Sequence, residues 1–305
     1  MTAPHTPASS SPVDAARFES SYLSANGLRF HVVSCGPRDG KKVLLLHGFP
    51  EFWYSWRHQL IALADAGYRA IAPDLRGYNL SDKPEGVASY DMLVLLDDVV
   101  ALVGALGEQN VDLVGHDWGG AIAWSAAASA AHRHVVRRLA ILNAPHPTAF
   151  LKHMTLSQLR RSWYMLLFQL PRLPERLLAR DGFAALRRML SRSTAPGTFS
   201  PLDLDRYAEA LAQPGALTAS INYYRGILRR NPFAALQQLS PIPPELPVLL
   251  LWGERDPALG KELTYNLQDL VANLRIEYLS EAGHWPAQEQ PTEVNRALLA
   301  FLGQP

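Results

Sequence analysis

A single cysteine, Cys35, stands in a chain of 305 residues, so no intrachain disulfide can form. Such a chain suits a reducing compartment and is expected in the cytoplasm. Charge of one sign is equally scarce. The 29 basic and 28 acidic residues leave a formal net charge of +1, so the molecule as a whole has no electrostatic pull on nucleic acid or on an anionic membrane. No apolar run approaches the roughly 20 residues that span a bilayer. Residues 1–17 are rich in Pro, Ser, Ala and Thr and lack an apolar h-region, which reads as a disordered leader and not as a signal peptide. No metal-ligand cluster and no phosphate-cradling glycine loop stands out, so no cofactor is expected. What is present is a globular composition, 48% hydrophobic and 19% charged. It suffices for one large core with an inserted subdomain.

Two β-branched or aromatic runs flank Asn26-Gly27, the dipeptide that a type I′ hairpin prefers. Short buried strands and helices then alternate. Strands are expected at 42–47, 68–73, 111–115, 135–142, 248–253 and 274–279. Helices are expected at 56–66, 90–106, 121–131 and 291–302. This alternation predicts an α/β fold whose mostly parallel sheet is covered by helices on both faces. Residues 149–239 interrupt it with helical patterns alone and are expected to form a lid over the carboxyl edge of the sheet. The core is then 18–148 and 240–305. From 149 to 236 the chain carries 12 Arg and one Lys against three Asp and two Glu, a surplus of eight positive charges. That pattern suits a solvated helical surface; a dock for an acidic partner has no second feature behind it.

Gly115-His116-Asp117-Trp118-Gly119 follows an apolar strand and opens an Ala/Gly-rich helix. This is the setting of a nucleophile elbow, in which flanking glycines keep Cβ atoms away from a strained central residue. An Asp that merely capped the next helix would not require Gly on both sides. The usual occupant is Ser, whose hydroxyl needs a base before it attacks a carbonyl. The carboxylate of Asp117 is already ionised at neutral pH and can displace a leaving group from saturated carbon, giving an ester. Releasing that ester needs water, a base and an oxyanion hole. His284, in a loop after the last strand, is the best placed of ten histidines; His116 adjoins the nucleophile but is expected to point away from the cleft. Asp256, deeper in its loop than Glu254, is expected to orient the imidazole. The order nucleophile, acid, histidine is that of the α/β-hydrolase fold. His47-Gly48-Phe49-Pro50 leaves the first buried strand, and the amides of Phe49 and Trp118 are expected to form the oxyanion hole, with Pro50 admitting a cis bond.

At these residues the sequence resembles the epoxide hydrolases of the α/β-hydrolase fold, over nearly the whole chain after the leader. The segment from His47-Gly48-Phe49-Pro50-Glu51 to Trp56 resembles their oxyanion segment. Gly77-Tyr78-Asn79-Leu80-Ser81 resembles their Gly-x-small-x-Ser/Thr motif, with Asn79 larger than usual. Gly115-His116-Asp117-Trp118-Gly119-Gly120 resembles an elbow that haloalkane dehalogenases share. Asn222-Tyr223-Tyr224-Arg225 and the segment Trp163-Tyr164-Met165 resemble the two lid segments that carry the epoxide-binding tyrosines, which implies that role for Tyr224 and Tyr164. Tyr223, about 100° further round a helix, is expected to face elsewhere.

The resemblance implies hydrolysis of a small-molecule epoxide to a vicinal diol without a cofactor. A leaving alkoxide needs an acid, and a phenol of pKa about 10 fits. Haloalkane dehalogenation is the alternative. It needs N–H donors for halide, and the Asn that usually follows the His-Gly pair is here Phe49. Fluoroacetate dehalogenases have Arg where Trp118 stands. A ligand-binding protein on this scaffold is the other alternative, although no catalytic member is missing. The sequence leaves the natural substrate and the oligomeric state open.

Overall fold

The computed structural model describes residues 15–229 and 239–304. Among these, eight strands form one sheet: β1 (Glu19–Ala25), β2 (Leu28–Cys35), β3 (Lys42–Leu46), β4 (Arg69–Pro73), β5 (Val111–His116), β6 (Val136–Leu142), β7 (Val248–Gly253) and β8 (Leu274–Leu279). Their order is β1-β2-β4-β3-β5-β6-β7-β8. β2 runs antiparallel to β1 and to β4, and the other pairs are parallel. The hairpin turns where expected, with Asn26 at φ 44° and Gly27 at φ 71°.

Side chains on a strand alternate between faces, and here that alternation builds two cores. Leu44 and Leu46 of β3, Leu139 and Ile141 of β6 and Leu250 of β7 point into one. Val43, Leu45, Ala140, Leu142 and Leu249 point into the other. The first is covered by α2 (Met92–Ala105) and α3 (Asp117–Ala128), the second by α1 (Arg57–Asp65) and the C-terminal α11 (Pro291–Leu302), which follows the short α10 (Pro286–Glu289). Strands sandwiched in this way read as continuous apolar runs, which is why the sequence showed them so clearly.

Between β6 and β7 lie α4 (Pro147–Lys152), α5 (Leu156–Arg161), α6 (Trp163–Leu167), α7 (Leu173–Arg192), α8 (Pro201–Ala212) and α9 (Ala216–Arg229). This helical insertion starts two residues before the expected 149, because Pro147 takes a first-turn position and His146 caps the helix. Residues 230–238, expected to close it, lie outside the described residues, as do residues 1–14 of the expected leader. Ala15–Arg17, at the end of that leader, form a 3-10 turn, which Arg17 anchors by an ion pair to Asp65. The helix after the elbow also differs from 121–131. It begins at Asp117 itself, and it ends at Ala128 because Ser129 turns extended and bridges to Leu239. Among the described residues no helix is long and apolar enough to cross a membrane.

One buried ion pair ties the hairpin to the elements behind the site. Arg76, after β4, grips Asp98 of α2 through Nε at 2.6 Å and a terminal nitrogen at 2.5 Å, and the Asn26 amide donates to the same carboxylate at 2.7 Å. Both side chains are almost wholly buried. Asp98→Ala would strand a guanidinium in an apolar core, which costs about 3–5 kcal/mol. Denaturant unfolding should show a loss of that size, and a loss below about 1 kcal/mol, the scale of a surface pair, would remove this pair from the framework.

Candidate active site

The elbow is built by close approach. Asp117 has φ 49°, the left-handed region. A Cβ on Gly119 would lie 2.1 Å from the Leu46 carbonyl oxygen, and one on Gly120 would lie 2.4 Å from the Ala144 Cβ. A Cβ on Gly48 would lie 2.4 Å from Asp117 Cβ and Oδ1. Only glycine lets the ends of β3, β5 and β6 converge so tightly on one carboxylate. The Phe49 amide, beside a cis Phe49–Pro50 bond, donates to Asp117 Oδ1 at 2.8 Å. The Trp118 amide sits in the first turn of α3, among the donors that a helix leaves unsatisfied.

His284 enters from the loop between β8 and α10. Its Nε2 lies 3.7 Å from Asp117 Oδ2, and its Nδ1 donates to Asp256 Oδ2 at 2.8 Å. Asp256 is buried and accepts three further hydrogen bonds, from the Ala258 and Leu259 amides at 2.7 and 2.9 Å and from Asn143 at 2.8 Å. Burial alone would raise its pKa, but His284 and these donors hold the carboxyl below its usual range. Glu254, the other acid in the loop, pairs with Lys261 on the surface instead. Burial disfavours the His284 imidazolium, but Asp256 and then Asp117 outweigh that and raise its pKa to about 9.

Three polar residues in this framework have partners that the sequence did not assign to them. Asn143, at φ 37° just past β6, accepts from the Gly253 amide at 2.7 Å while donating to Asp256, and so aims the acid. Glu51 accepts from the Gly48 amide at 3.2 Å and from His116 Nδ1 at 2.6 Å. His116 Nε2 donates to the His284 carbonyl at 2.7 Å. His116 therefore points away from the cleft, as expected, yet it couples the oxyanion loop to the histidine loop. Burial lowers its pKa, but Glu51 and more weakly Asp117 together outweigh that and raise it. Glu51 and His116 lay inside motifs already singled out, but Asn143 had only its place at the end of a predicted strand as a signal.

Tyr164 of α6 and Tyr224 of α9 come together across the cavity from Asp117, their ring centroids 5.9 Å apart. Tyr224 stands edge-on to Trp118 at 5.0 Å and to Phe49 at 5.6 Å. Burial, and next the negative charge of Asp117, raise both phenols above their usual pKa; at Tyr224 the Trp118 side chain works weakly against this. Tyr223 faces the other way and donates to the Arg76 carbonyl at 2.8 Å. The cavity measures about 310 Å³ and is lined mainly by apolar side chains such as Met92, Leu96, Phe150 and Met165. Asn79, the departure in the loop after β4, donates to Asp74 at 2.8 Å and so belongs to the framework beneath the site.

The model of the alpha/beta hydrolase fold matches residues 41–291. Epoxide hydrolase 3 of Xenopus tropicalis is 41% identical over 290 residues, which cover 92% of this chain and 76% of that protein. The chain belongs to the epoxide hydrolase family of the α/β-hydrolase fold. The AB hydrolase superfamily protein YfhM of Bacillus subtilis (strain 168) is 40% identical over 92% of this chain and 96% of its own. The crystal structure of a Bacillus megaterium epoxide hydrolase in complex with an inhibitor is 33% identical, with a TM-score of 0.82 over 93% of this chain and all of that one. The family's fold and the arrangement of Asp117, His284 and Asp256 at three strand ends thus occur together in one molecule.

The two anions around His284 have a measurable consequence. A pKa raised from 6.5 to about 9 means that the imidazolium contributes stability fully below pH 6.5 and loses it as pH rises through 9. Asp117→Ala removes one of the raising charges, so an NMR titration of the His284 ring should show a lower pKa in that variant. An unchanged pKa would mean that the Asp117 charge does not reach the imidazole.

Proposed function

We propose that the protein hydrolyses an epoxide to a vicinal diol through an ester on Asp117. The observation that carries this reading is one cavity holding an elbow carboxylate on one side and two protonated phenols, Tyr164 and Tyr224, on the other. Asp117 Oδ1 is occupied by the Phe49 amide, so Oδ2 attacks the epoxide carbon. The carbon–oxygen bond of the ring breaks, its electron pair goes to the ring oxygen, and a phenol delivers the proton. The product is a hydroxyalkyl ester.

Esterification cancels the charge on Asp117. One of the anions that hold the His284 proton is thereby lost, the imidazole pKa falls, its proton goes to the phenolate left by ring opening, and the neutral ring becomes available as a base. It takes a proton from water, whose oxygen attacks the ester carbon while the Phe49 and Trp118 amides hold the developing oxyanion. As the intermediate collapses, the leaving oxygen takes up the proton of its added hydroxyl, so the diol departs with Oδ2 and the Asp117 carboxylate is restored with the water oxygen. Halide chemistry is less well served: Phe49 occupies the place of the usual second halide donor, and the Trp118 ring stands edge-on against Tyr224. Cytoplasmic residence belongs to the same reading, since the sole cysteine, Cys35, is free and buried.

His284→Gln should alkylate and then stall, because the base acts only in the second step. Mass spectrometry of protein quenched after substrate should find a lasting adduct on the Asp117 peptide. Its absence while substrate still binds would remove His284 from deacylation.

Losing one of two donors to the ring oxygen weakens transition-state stabilisation by about 2–4 kcal/mol, the scale of an oxyanion donor. That is on the order of 10²- to 10³-fold in rate. Tyr164→Phe and Tyr224→Phe should each slow alkylation by that factor in pre-steady-state measurements with a reactive epoxide, and the double variant should nearly abolish it. A bromoalkane run alongside forms no alkoxide and should be indifferent to both changes. Wild-type rates in Tyr224→Phe, or ready bromide release without any diol, would overturn the epoxide reading.

A further inference from the structure

The helices over the cavity carry a surface that the reaction does not use. Leu151, Met154, Leu156, Leu159, Trp163 and Leu166 are all exposed, from 38% at Met154 to 67% at Leu156. Leu151, Met154, Leu159 and Leu166 also line the active-site cavity, so this apolar surface is the rim of the cavity itself. Leu156 lies one turn before Leu159 on α5, and Trp163 one turn before Leu166 on α6, which extends the rim outward. Three more exposed leucines follow at 170, 173 and 177. Soluble monomers rarely leave so much contiguous apolar surface open without a use for it.

The charge of the segment that carries this rim is one-sided, although Asp91 from another element also lines the cavity. Between residues 149 and 180 the chain has Lys152 and Arg160, Arg161, Arg172, Arg176 and Arg180 against Glu175 alone, and Glu175 is held by Arg225 at 2.7 Å. Lys152, Arg160, Arg172 and Arg176 are exposed, and no described carboxylate pairs with them. The net charge of +1 conceals this, because screening over about 8 Å leaves only local charge to act on a nearby surface. Exposed leucines, an exposed tryptophan and unpaired arginines with long apolar stems match the layered chemistry of an anionic bilayer surface. A second copy of the chain would bring like charges face to face.

We propose that this rim docks the protein on an anionic lipid surface with the cavity mouth toward the bilayer. An apolar substrate then passes from lipid to Asp117 without crossing bulk water. That last clause rests on the epoxide hydrolase reading; the docking does not, and is measured without turnover.

The test is flotation of the full chain with vesicles of phosphatidylcholine containing phosphatidylglycerol, beside pure phosphatidylcholine vesicles. The protein should float with the anionic vesicles and release at high salt. Arg160→Gln, Arg172→Gln and Arg176→Gln combined should weaken partitioning by about fivefold per charge, on the order of a hundredfold in total. Leu156→Ser with Trp163→Ser should prevent flotation. Neither set lines the cavity, so both should hydrolyse a small water-soluble epoxide like wild type, which shows that they fold. Absence of flotation on anionic vesicles, or equal flotation of the variants, would overturn the proposal. So would a dimer in sedimentation equilibrium that Leu156→Ser with Trp163→Ser splits, since the rim would then belong to a second copy.

Discussion

The ends of β3, β5 and β6 meet around Asp117 with no room for a single added carbon at Gly48, Gly119 or Gly120. That contact sets the rest of the site. It forces the backbone of Asp117 into the left-handed region and brings the Phe49 amide within 2.8 Å of its carboxylate. The parallel sheet makes such convergence possible, because all of its central strands deliver their carboxyl ends to one edge. Asn143 and the loops bearing Asp256 and His284 leave from that same edge, and each supplies one polar group to the neighbourhood of Asp117.

Electrostatically the site is two carboxylates sharing one imidazole. Asp256 is fully engaged by four donors and serves as a fixed charge, whereas Asp117 keeps Oδ2 toward the cavity and toward His284. This asymmetry lets one event, the loss of charge on Asp117, change the state of the imidazole without any movement. The second buried pair, Glu51 with His116, sits behind the first and clamps the Gly48 amide and the His284 carbonyl, so the two loops that face the carboxylate cannot drift independently.

Above the sheet edge the helical insertion works under a different constraint. Its inner side closes an apolar cavity and brings in two phenols, whereas its outer side leaves leucines and a tryptophan in the open among arginines. A helix of five or six residues, such as α5 or α6, has too little surface to bury all of its apolar side chains in one direction. Feeding a cavity from above requires such a surface to be discontinuous, and the exposed rim follows.

Much of this molecule was legible before any coordinates. The strands at 248–253 and 274–279 and the helix at 291–302 agree with the structure residue for residue, because β7, buried on both faces, is a continuous apolar run, β8 at the sheet edge alternates apolar Leu274, Ile276 and Tyr278 with charged Arg275 and Glu277, and Pro291 marks a helix start. Asp117, His284 and Asp256 were legible because elbow glycines and post-strand loops are short-range patterns. The onset of α3 at Asp117 was not, since glycine, the poorest helix former after proline, fills its first turn for reasons of packing. The partners of Asn143, Glu51 and His116 were also hidden: they lie between 65 and 168 residues away, and a hydrogen bond across that distance leaves no spacing to read. Tyr164 and Tyr224 were singled out by the resemblance of their segments, but their pairing was not legible: the chain separates them by two helices, and only the folded insertion sets them 5.9 Å apart over one carboxylate.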